Sequence, residues 1–124
     1  MAPRFPLLLK SAFGPVFIPL NTILRIDAED KYSRLHFTNG DSMVLLHGLS
    51  DLEERLCCGQ RIGDRVFLRT HRSCIVALHH ADALQGRDQV MLNGRPAPIS
   101  RSAWGQLLHL LGSIDSPEKA LRSA

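Results

Sequence analysis

The sequence contains no apolar run near the roughly 20 residues that a membrane-spanning helix needs. The apolar stretch after Arg4 is too short and too interrupted for a signal peptide. The three cysteines, Cys57, Cys58 and Cys74, are an odd number with two of them adjacent, which does not fit the disulfide framework of a secreted protein. We therefore expect a cytoplasmic protein with reduced thiols and no direct insertion into a membrane.

A strong excess of one charge is also absent, since 15 lysines and arginines face 12 acids, for a formal net charge of +3. The cations are unevenly distributed: residues 61–72 contain four arginines and one acid, whereas residues 51–55 contain three acids and one arginine. Arginine pairs well with phosphate and with the guanine edge, although a GC-rich genome also produces arginine-rich proteins. The charge is compatible with a polyanionic partner and does not by itself require one.

The sequence offers no clear metal or catalytic constellation. The cysteines lack the two-residue gap typical of zinc ligands, and His79 and His80 are adjacent in what we expect to be a strand, where they would point to opposite faces. Cys74 lies in an apolar run, where a buried thiol is more common than a nucleophile. His71 has only Asp64 nearby in sequence as a carboxylate partner. We expect no metal, no cofactor and no enzymatic activity.

Most of the chain fits one mainly β domain, without a repeat, a linker or a second domain. Polar and apolar residues alternate with a period of two, or form short apolar runs between turn residues, as strands do. Asn39-Gly40 is typical of a type I′ hairpin turn. A second hairpin surrounds Asn93-Gly94, and Pro96 and Pro98 predict that its last strand lies at an edge. The predicted strands cover residues 7–11, 16–20, 22–28, 32–38, 42–47, 66–69, 74–78, 90–92 and 95–99.

Leucines at helical spacing predict a first helix in the middle of the chain. Ser50 fits its N-cap, because Glu53 three residues later completes a capping box. Gly59 is expected to end the helix. The apolar face of this helix would consist of Leu49, Leu52 and Leu56.

A second helix is predicted to close the domain. Ser100 or Ser102 fits its N-cap, and Gly112 is expected to end it. We place the domain at residues 1–112, with a core over about residues 17–111, and expect residues 113–124 to form a polar, flexible tail. The apolar stripe of this helix would consist of Trp104, Leu107, Leu108 and Leu111.

Residues 70–73 place a histidine, an arginine and two hydroxyls between two apolar strands. A loop held between paired strands can present such groups to a nucleic-acid groove. Arg72 can pair with phosphate or guanine, and Thr70 and Ser73 can bond phosphate oxygens. The same four residues also fit a solvated loop whose hydroxyls satisfy its own turn. The spacing alone leaves both interpretations open.

Four blocks of the sequence, in the expected order, resemble the LytTR family of bacterial DNA-binding domains. His71-Arg72-Ser73 between two strands is similar to the family signature, and residues 23–35 resemble its first conserved block. Residues 49–56 resemble its leucine-rich helix, and Asn93-Gly94 with residues 98–101 resembles its final hairpin and Ser-Arg closure. The resemblance implies a mainly β fold, with an elongated arrangement of small antiparallel β-sheets and one or two short helices. It also implies a transcriptional regulator of the response-regulator type.

In this family, three loops on one side of the domain reach successive grooves of bent double-stranded DNA. Cations in such loops supply salt-dependent affinity, and a few base contacts supply sequence choice. The DNA-binding residues that the resemblance implies are Lys31, Ser33 and Arg34 in the first loop, Arg69, His71, Arg72 and Ser73 in or beside the second, and Ser100, Arg101 and Ser102 in the third.

Two positions depart from the family pattern. Val76-Ala77 stands where the family often has Val-Asn, and Ser102 stands where a second basic residue usually follows Ser-Arg. The weaker third loop motivates an alternative function, a β-sheet protein-interaction module that binds a sensor or a membrane inhibitor, with DNA contact secondary. The resemblance further suggests a homodimer on direct-repeat DNA sites and an upstream sensor or membrane partner.

Overall fold

The computed structural model describes residues 7–57 and 66–114, with side chains through residue 110. This part of the chain forms ten strands and two α-helices, which confirms the predicted mainly β fold class. In chain order the elements are β1 (Leu7–Ser11), β2 (Gly14–Ile18), β3 (Ile23–Glu29), β4 (Tyr32–Phe37), β5 (Ser42–Leu45), α1 (Leu49–Leu56), β6 (Phe67–His71), β7 (Cys74–Ala77), β8 (Ala81–Gln85), β9 (Gln89–Leu92), β10 (Arg95–Pro98) and α2 (Arg101–Ile114).

The predicted strands are all present, with small shifts at their ends. The sequence did not predict β8, because its alanines, aspartate and glutamine are residues that strands disfavour. His79 and His80 lie in a short 3₁₀ turn, Leu78–His80, so the expectation that they are adjacent in a strand is wrong. Neither helix of the described residues is long and apolar enough to cross a membrane.

Seven strands form one antiparallel sheet in the order β2-β1-β5-β4-β3-β7-β6, and three form a smaller sheet in the order β10-β9-β8. β10 therefore lies at an edge, as Pro96 and Pro98 predicted. In the centre of the larger sheet, Ile26 of β3 lies opposite Leu35 of β4 on one side and Ile75 of β7 on the other. The larger sheet is wider than the resemblance implied, because the N-terminal hairpin β1-β2 extends it beyond β5.

The larger sheet buries an apolar core on each face. On one face, α1 packs its three leucines against a cluster that includes Ile26 and Leu35. On the other face, α2 and the smaller sheet pack against Leu24 and Val76. Each fully buried leucine contributes about 1.5–3 kcal/mol relative to an exposed one. These contacts fix both helices on the faces of the sheet and leave the turns at its ends free to contact other molecules.

The two Asn-Gly pairs form different turns. At Asn39-Gly40 only the glycine has a positive φ, of 97°. The Gly40 N–H donates to the Phe37 carbonyl, and the Phe37 N–H donates to the Asp41 carbonyl, which closes a three-residue loop. The predicted type I′ turn is therefore wrong here. At Asn93-Gly94 both residues have a positive φ, of 51° and 76°, as a type I′ turn requires.

The helix ends correct two of the predictions and confirm a third. Buried Leu49 is the first residue of α1, so Gly48 takes the N-cap position and Ser50 lies inside the helix without capping it. Ser100 is confirmed as the N-cap of α2, since its Oγ accepts the Ala103 N–H at 3.2 Å. α2 continues through Gly112 to Ile114, so the predicted stop at Gly112 is wrong; one helical glycine costs only about 1 kcal/mol.

Part of the predicted apolar stripe of α2 also changes. Among the described side chains of the helix, Ala103, Leu107 and Leu110 are buried, whereas Trp104 and Leu108 are half-buried. The predicted position of Leu111 in the stripe lies outside the described side chains. The predicted end of α1 at Gly59 and most of the predicted tail at residues 113–124 lie outside the described residues.

Candidate nucleic-acid interface

Three connections meet at one end of the larger sheet. The first is the Asp30-Lys31 turn between β3 and β4, the second is the Arg72-Ser73 turn between β6 and β7, and the third is residues 99–100 between β10 and α2. The Ala28 N–H donates to the Ser73 carbonyl at 2.8 Å, which ties the first turn to the second. The Ser100 N–H donates to the Thr70 carbonyl at 2.6 Å, which ties the third connection to the second.

The second turn is tighter than the four-residue loop that the sequence predicted. Thr70 and His71 belong to β6, and only Arg72-Ser73 lies between the strands. The strand pairing shifts at Thr70, which forms a β-bulge and leaves its carbonyl to accept the Ser100 N–H. The Thr70 side chain is fully buried, so its predicted contact with a phosphate oxygen is wrong.

His71 and Ser73 hold each other in place across the second turn. The His71 Nδ1 accepts the Ser73 N–H at 3.2 Å, and it lies 2.7 Å from the Ser73 Oγ. Because Nδ1 accepts from a backbone N–H, the proton of the neutral ring lies on Nε2. The half-buried ring therefore keeps its Nε2–H as the donor for an outside acceptor.

The cations at the centre of this surface form no ion pair with the residues that the structure describes. Arg72 and Arg101 are exposed, and no hydrogen bond or ion pair joins their side chains to the other described residues. Lys31 is also exposed, with its Nζ 5.3 Å from the centre of the Tyr32 ring. We call the side chains of Lys31, His71, Arg72, Ser73, Arg101 and Ser102 the basic turn surface.

Two of the predicted hydroxyl contacts with DNA conflict with the positions of their side chains in the fold. Ser33 is fully buried, because the alternation of β4 places it on the same face as Leu35. It cannot reach an outside partner in this structure, which corrects its place among the predicted DNA-binding residues. Ser100 caps α2, and its Oγ lies 3.4 Å from that of exposed Ser102. Its predicted DNA contact would compete with the cap.

Arg34 lies near the first turn but is already paired. Its Nε donates to Glu29 at 2.7 Å, its Nη2 to the second oxygen of the same carboxylate at 3.1 Å, and its Nη1 to the Ser42 Oγ at 3.1 Å. The hydrogen bond from Arg34 holds the pKa of Glu29 below its usual value. A phosphate would have to displace this carboxylate in order to contact Arg34.

Arg69 lies beside the second turn and is engaged on three sides. Its Nη1 donates to Glu53 at 2.9 Å and to Ser50 at 3.1 Å, both on α1. Its Nη2 donates to the Arg72 carbonyl at 2.7 Å. The side chain is only 22% exposed. The structure thus places Arg69 next to the basic turn surface and not on it.

Sequence reasoning missed Arg87, which lies in the turn between β8 and β9. The Ile99 N–H donates to the Asp88 carbonyl at 2.8 Å and brings this turn against the third connection. One cleft of about 630 Å³ is lined by Arg87, Asp88, Ile99, Arg101 and Trp104. The sequence Gly86-Arg87-Asp88 is typical of a turn and could have indicated this position. Because β8 was not predicted, no hairpin was expected there.

The structure gives no support to a reactive thiol at Cys74. Its side chain is fully buried, and burial raises the pKa of the thiol to about 12. Among the described residues, no group of three or more histidine, cysteine, aspartate and glutamate side chains is arranged to hold a metal ion. Exposed arginine, lysine and hydroxyl groups instead suit a polyanion.

The fold and this surface are those of a mainly β domain that presents basic turns from the end of a sheet. The sequence profile of the family described as "LytTr DNA-binding domain" matches residues 14–112. The chain therefore belongs to the LytTR family, as the four sequence blocks predicted. In a comparison of structures, it superposes on the "LytTr DNA-binding domain of putative methyl-accepting/DNA response regulator from Bacillus cereus" with a TM-score of 0.66. That match covers 89% of this chain and 99% of the other at 24% identity, and it supports the fold.

The chain is also similar to a longer regulator. In an alignment of 101 residues that covers 77% of this chain, it is 39% identical to the "CO-responsive transcriptional regulator RcoM" of Rhodospirillum rubrum. The match spans 40% of that relative.

Proposed function

We propose that this protein binds double-stranded DNA sequence-specifically through the basic turn surface and acts as a bacterial transcriptional regulator in the cytoplasm. The observation that carries the proposal is the joining of three connections by two backbone hydrogen bonds, from Ala28 to Ser73 and from Ser100 to Thr70. These bonds hold Lys31, Arg72 and Arg101 at one end of the sheet, and a polyanion is the natural partner for such an arrangement.

In this proposal, different residues make the contacts with phosphates and the contacts with base edges. Lys31 and Arg101 contact phosphates and supply most of the salt-dependent affinity. Arg101 is the first residue of α2, where the partial positive charge of a helix N-terminus adds to its attraction for phosphate. Arg72 and the His71 Nε2–H enter a groove and read base edges, for which the two parallel N–H groups of arginine suit guanine best.

Selection of bound duplexes from a random library tests the proposal, because it reports affinity and sequence choice together. We expect one enriched motif, and affinity for it that falls steeply with salt, with a slope of about −0.9 in log K against log salt for each phosphate neutralised. The proposal fails if no motif is enriched, or if affinity for the enriched duplex does not change with salt.

One observation favours a protein contact as a second candidate function. The N-terminal hairpin exposes Phe13, Phe17 and Leu8, with 93%, 69% and 50% of their surfaces accessible, at the edge of the larger sheet opposite β6. A sensor or membrane inhibitor could cover this hairpin while the turns bind DNA. Replacing Phe13 and Phe17 with serine should leave DNA affinity unchanged, and a loss of affinity would contradict this separation.

Homodimer formation on direct repeats is the last part of the proposal. It predicts that two copies occupy a duplex with two motifs in the same orientation. Light scattering of the protein with single-motif and double-motif duplexes checks it, since only the double-motif duplex should carry two copies.

A further inference from the structure

We propose that Arg69 is a positioning residue, which fixes the Arg72-Ser73 turn to Glu53 of α1 instead of contacting DNA itself. The proposal rests on the proposed function and reassigns Arg69 within it. It follows from the direction of the guanidinium group, whose two terminal nitrogens face α1 and the backbone of the turn.

The contacts of Arg69 connect α1 to the Arg72-Ser73 turn. One terminal nitrogen donates to Glu53 and Ser50, and the other donates to the Arg72 carbonyl at 2.7 Å. The Nε is buried. Three of the five N–H groups are therefore satisfied inside the protein, and a fourth is shielded from an outside partner.

The turn needs such support because the bulge at Thr70 interrupts the ladder between β6 and β7 just before it. The Ser73 carbonyl is held by the Ala28 N–H, and the Ser73 N–H by His71. In the described residues, the Arg72 carbonyl is held by Arg69 alone. Fixing this carbonyl restricts the backbone from which the exposed Arg72 side chain projects, which lowers the entropy cost of placing that side chain in a groove.

The direction in which DNA affinity changes when the charge of Glu53 is removed distinguishes a positioning role of Arg69 from a direct contact with DNA. If Glu53 only neutralises a potential phosphate ligand, removing its charge should strengthen DNA binding. If Glu53 anchors Arg69, removing its charge should weaken DNA binding, against the electrostatic expectation. Glu54 provides a matched control, because it is the next residue of α1, is exposed, and has no ion pair within the described residues.

The experiment compares Glu53→Gln with Glu54→Gln on the duplex with the highest affinity from selection. We expect Glu54→Gln to bind the same or slightly more tightly and Glu53→Gln to bind severalfold more weakly, with an unchanged salt slope. Arg69→Lys is the second variant: lysine keeps the charge but cannot reach α1 and the turn together, so we expect a similar loss. The proposal is wrong if Glu53→Gln binds more tightly than Glu54→Gln, or if Arg69→Lys keeps wild-type affinity.

A readout without DNA keeps this proposal distinct from the function on which it rests. Backbone ¹⁵N relaxation of Arg72 and Ser73 in the free protein should show more motion than in the wild-type protein for Glu53→Gln and Arg69→Lys. Glu54→Gln should show the same motion as the wild-type protein. If selection enriches no duplex, the proposed function fails, and the relaxation data still decide whether Arg69 holds the turn. An equally ordered turn in all three variants would overturn the positioning role.

Discussion

The two ends of the larger sheet both carry turns and arginines, but they use them differently. At one end, Lys31 and Arg72 are exposed on connections that backbone hydrogen bonds join, and Arg101 is exposed directly after the third connection, at the start of α2. At the other end, the loop at residues 38–40 faces the Asn93-Gly94 turn across a cleft of about 510 Å³. There Arg25 is engaged by Asp27 and by a backbone carbonyl, and Arg95 is the exposed cation.

This comparison teaches that the number of arginines does not define the interface. Each arginine must be free of acidic partners and fixed relative to the others. Asp27 shows the contrast, since one of its oxygens pairs with Arg25 and the other lies 3.0 Å from His36. Asp27 thus pairs with Arg25 at that cleft, whereas Arg72 and Arg101 have no acidic partner among the described residues.

The largest expected effect comes from Arg72→Ala. We expect DNA affinity to fall about ten- to hundredfold, or about 1–3 kcal/mol, because this side chain is assigned to a base edge. Arg95→Ala removes the same charge at the other end of the sheet and should change affinity little. Fluorescence anisotropy with the selected duplex measures both variants, and thermal melting confirms that both are folded. Equal losses of DNA affinity in the two variants would contradict the assignment of DNA binding to one end of the sheet.

A smaller effect is expected from Ser100→Ala, which removes the N-cap of α2. Loss of such a cap costs about 1 kcal/mol of stability. Because Ser100 also anchors the third connection to Thr70 through its backbone N–H, which alanine retains, DNA affinity should fall only slightly. Urea denaturation measures the loss of stability. A large loss of affinity at unchanged stability would instead assign the Ser100 hydroxyl to DNA.

The smallest effect is expected at the paired arginine of the first turn. Arg34→Ala should weaken DNA binding less than Arg72→Ala, because Glu29 already neutralises Arg34 in the free protein. Glu29→Gln should strengthen binding and make the salt dependence steeper, since it releases a cation beside the surface. Titrations at several salt concentrations check both changes. If Arg34→Ala costs as much as Arg72→Ala, the ion pair does not limit the contribution of Arg34.

Local patterns in the sequence were sufficient to predict most of the elements. The period of two located the strands, and the leucines at helical spacing located α1 with its buried face. The turn type at Asn39-Gly40 was not predictable from the dipeptide, because the pairing of the flanking strands sets the loop length. There Phe37 bonds to Asp41, whereas at Asn93-Gly94 the flanking Leu92 and Arg95 pair directly.

The candidate site was predicted less completely than the fold. Arg72 is exposed in the second turn, whereas Arg101, expected in the third loop, is the exposed first residue of α2. Ser33 and Thr70 were expected at the surface because they adjoin cations, but strand alternation and a bulge bury them. The link between Arg69 and Glu53 spans 16 positions in sequence and depends on how α1 packs on the sheet, which no local pattern reveals.

A nuclear magnetic resonance titration of the protein with its selected duplex tests the central claim most directly. We predict that the backbone amide signals of residues 30–31, 72–73 and 100–102 shift together as DNA is added, while those of residues 38–40 and 93–94 at the other end of the sheet do not. Shifts concentrated at residues 38–40 and 93–94, with the three connections unaffected, would contradict the assignment of DNA binding to the basic turn surface.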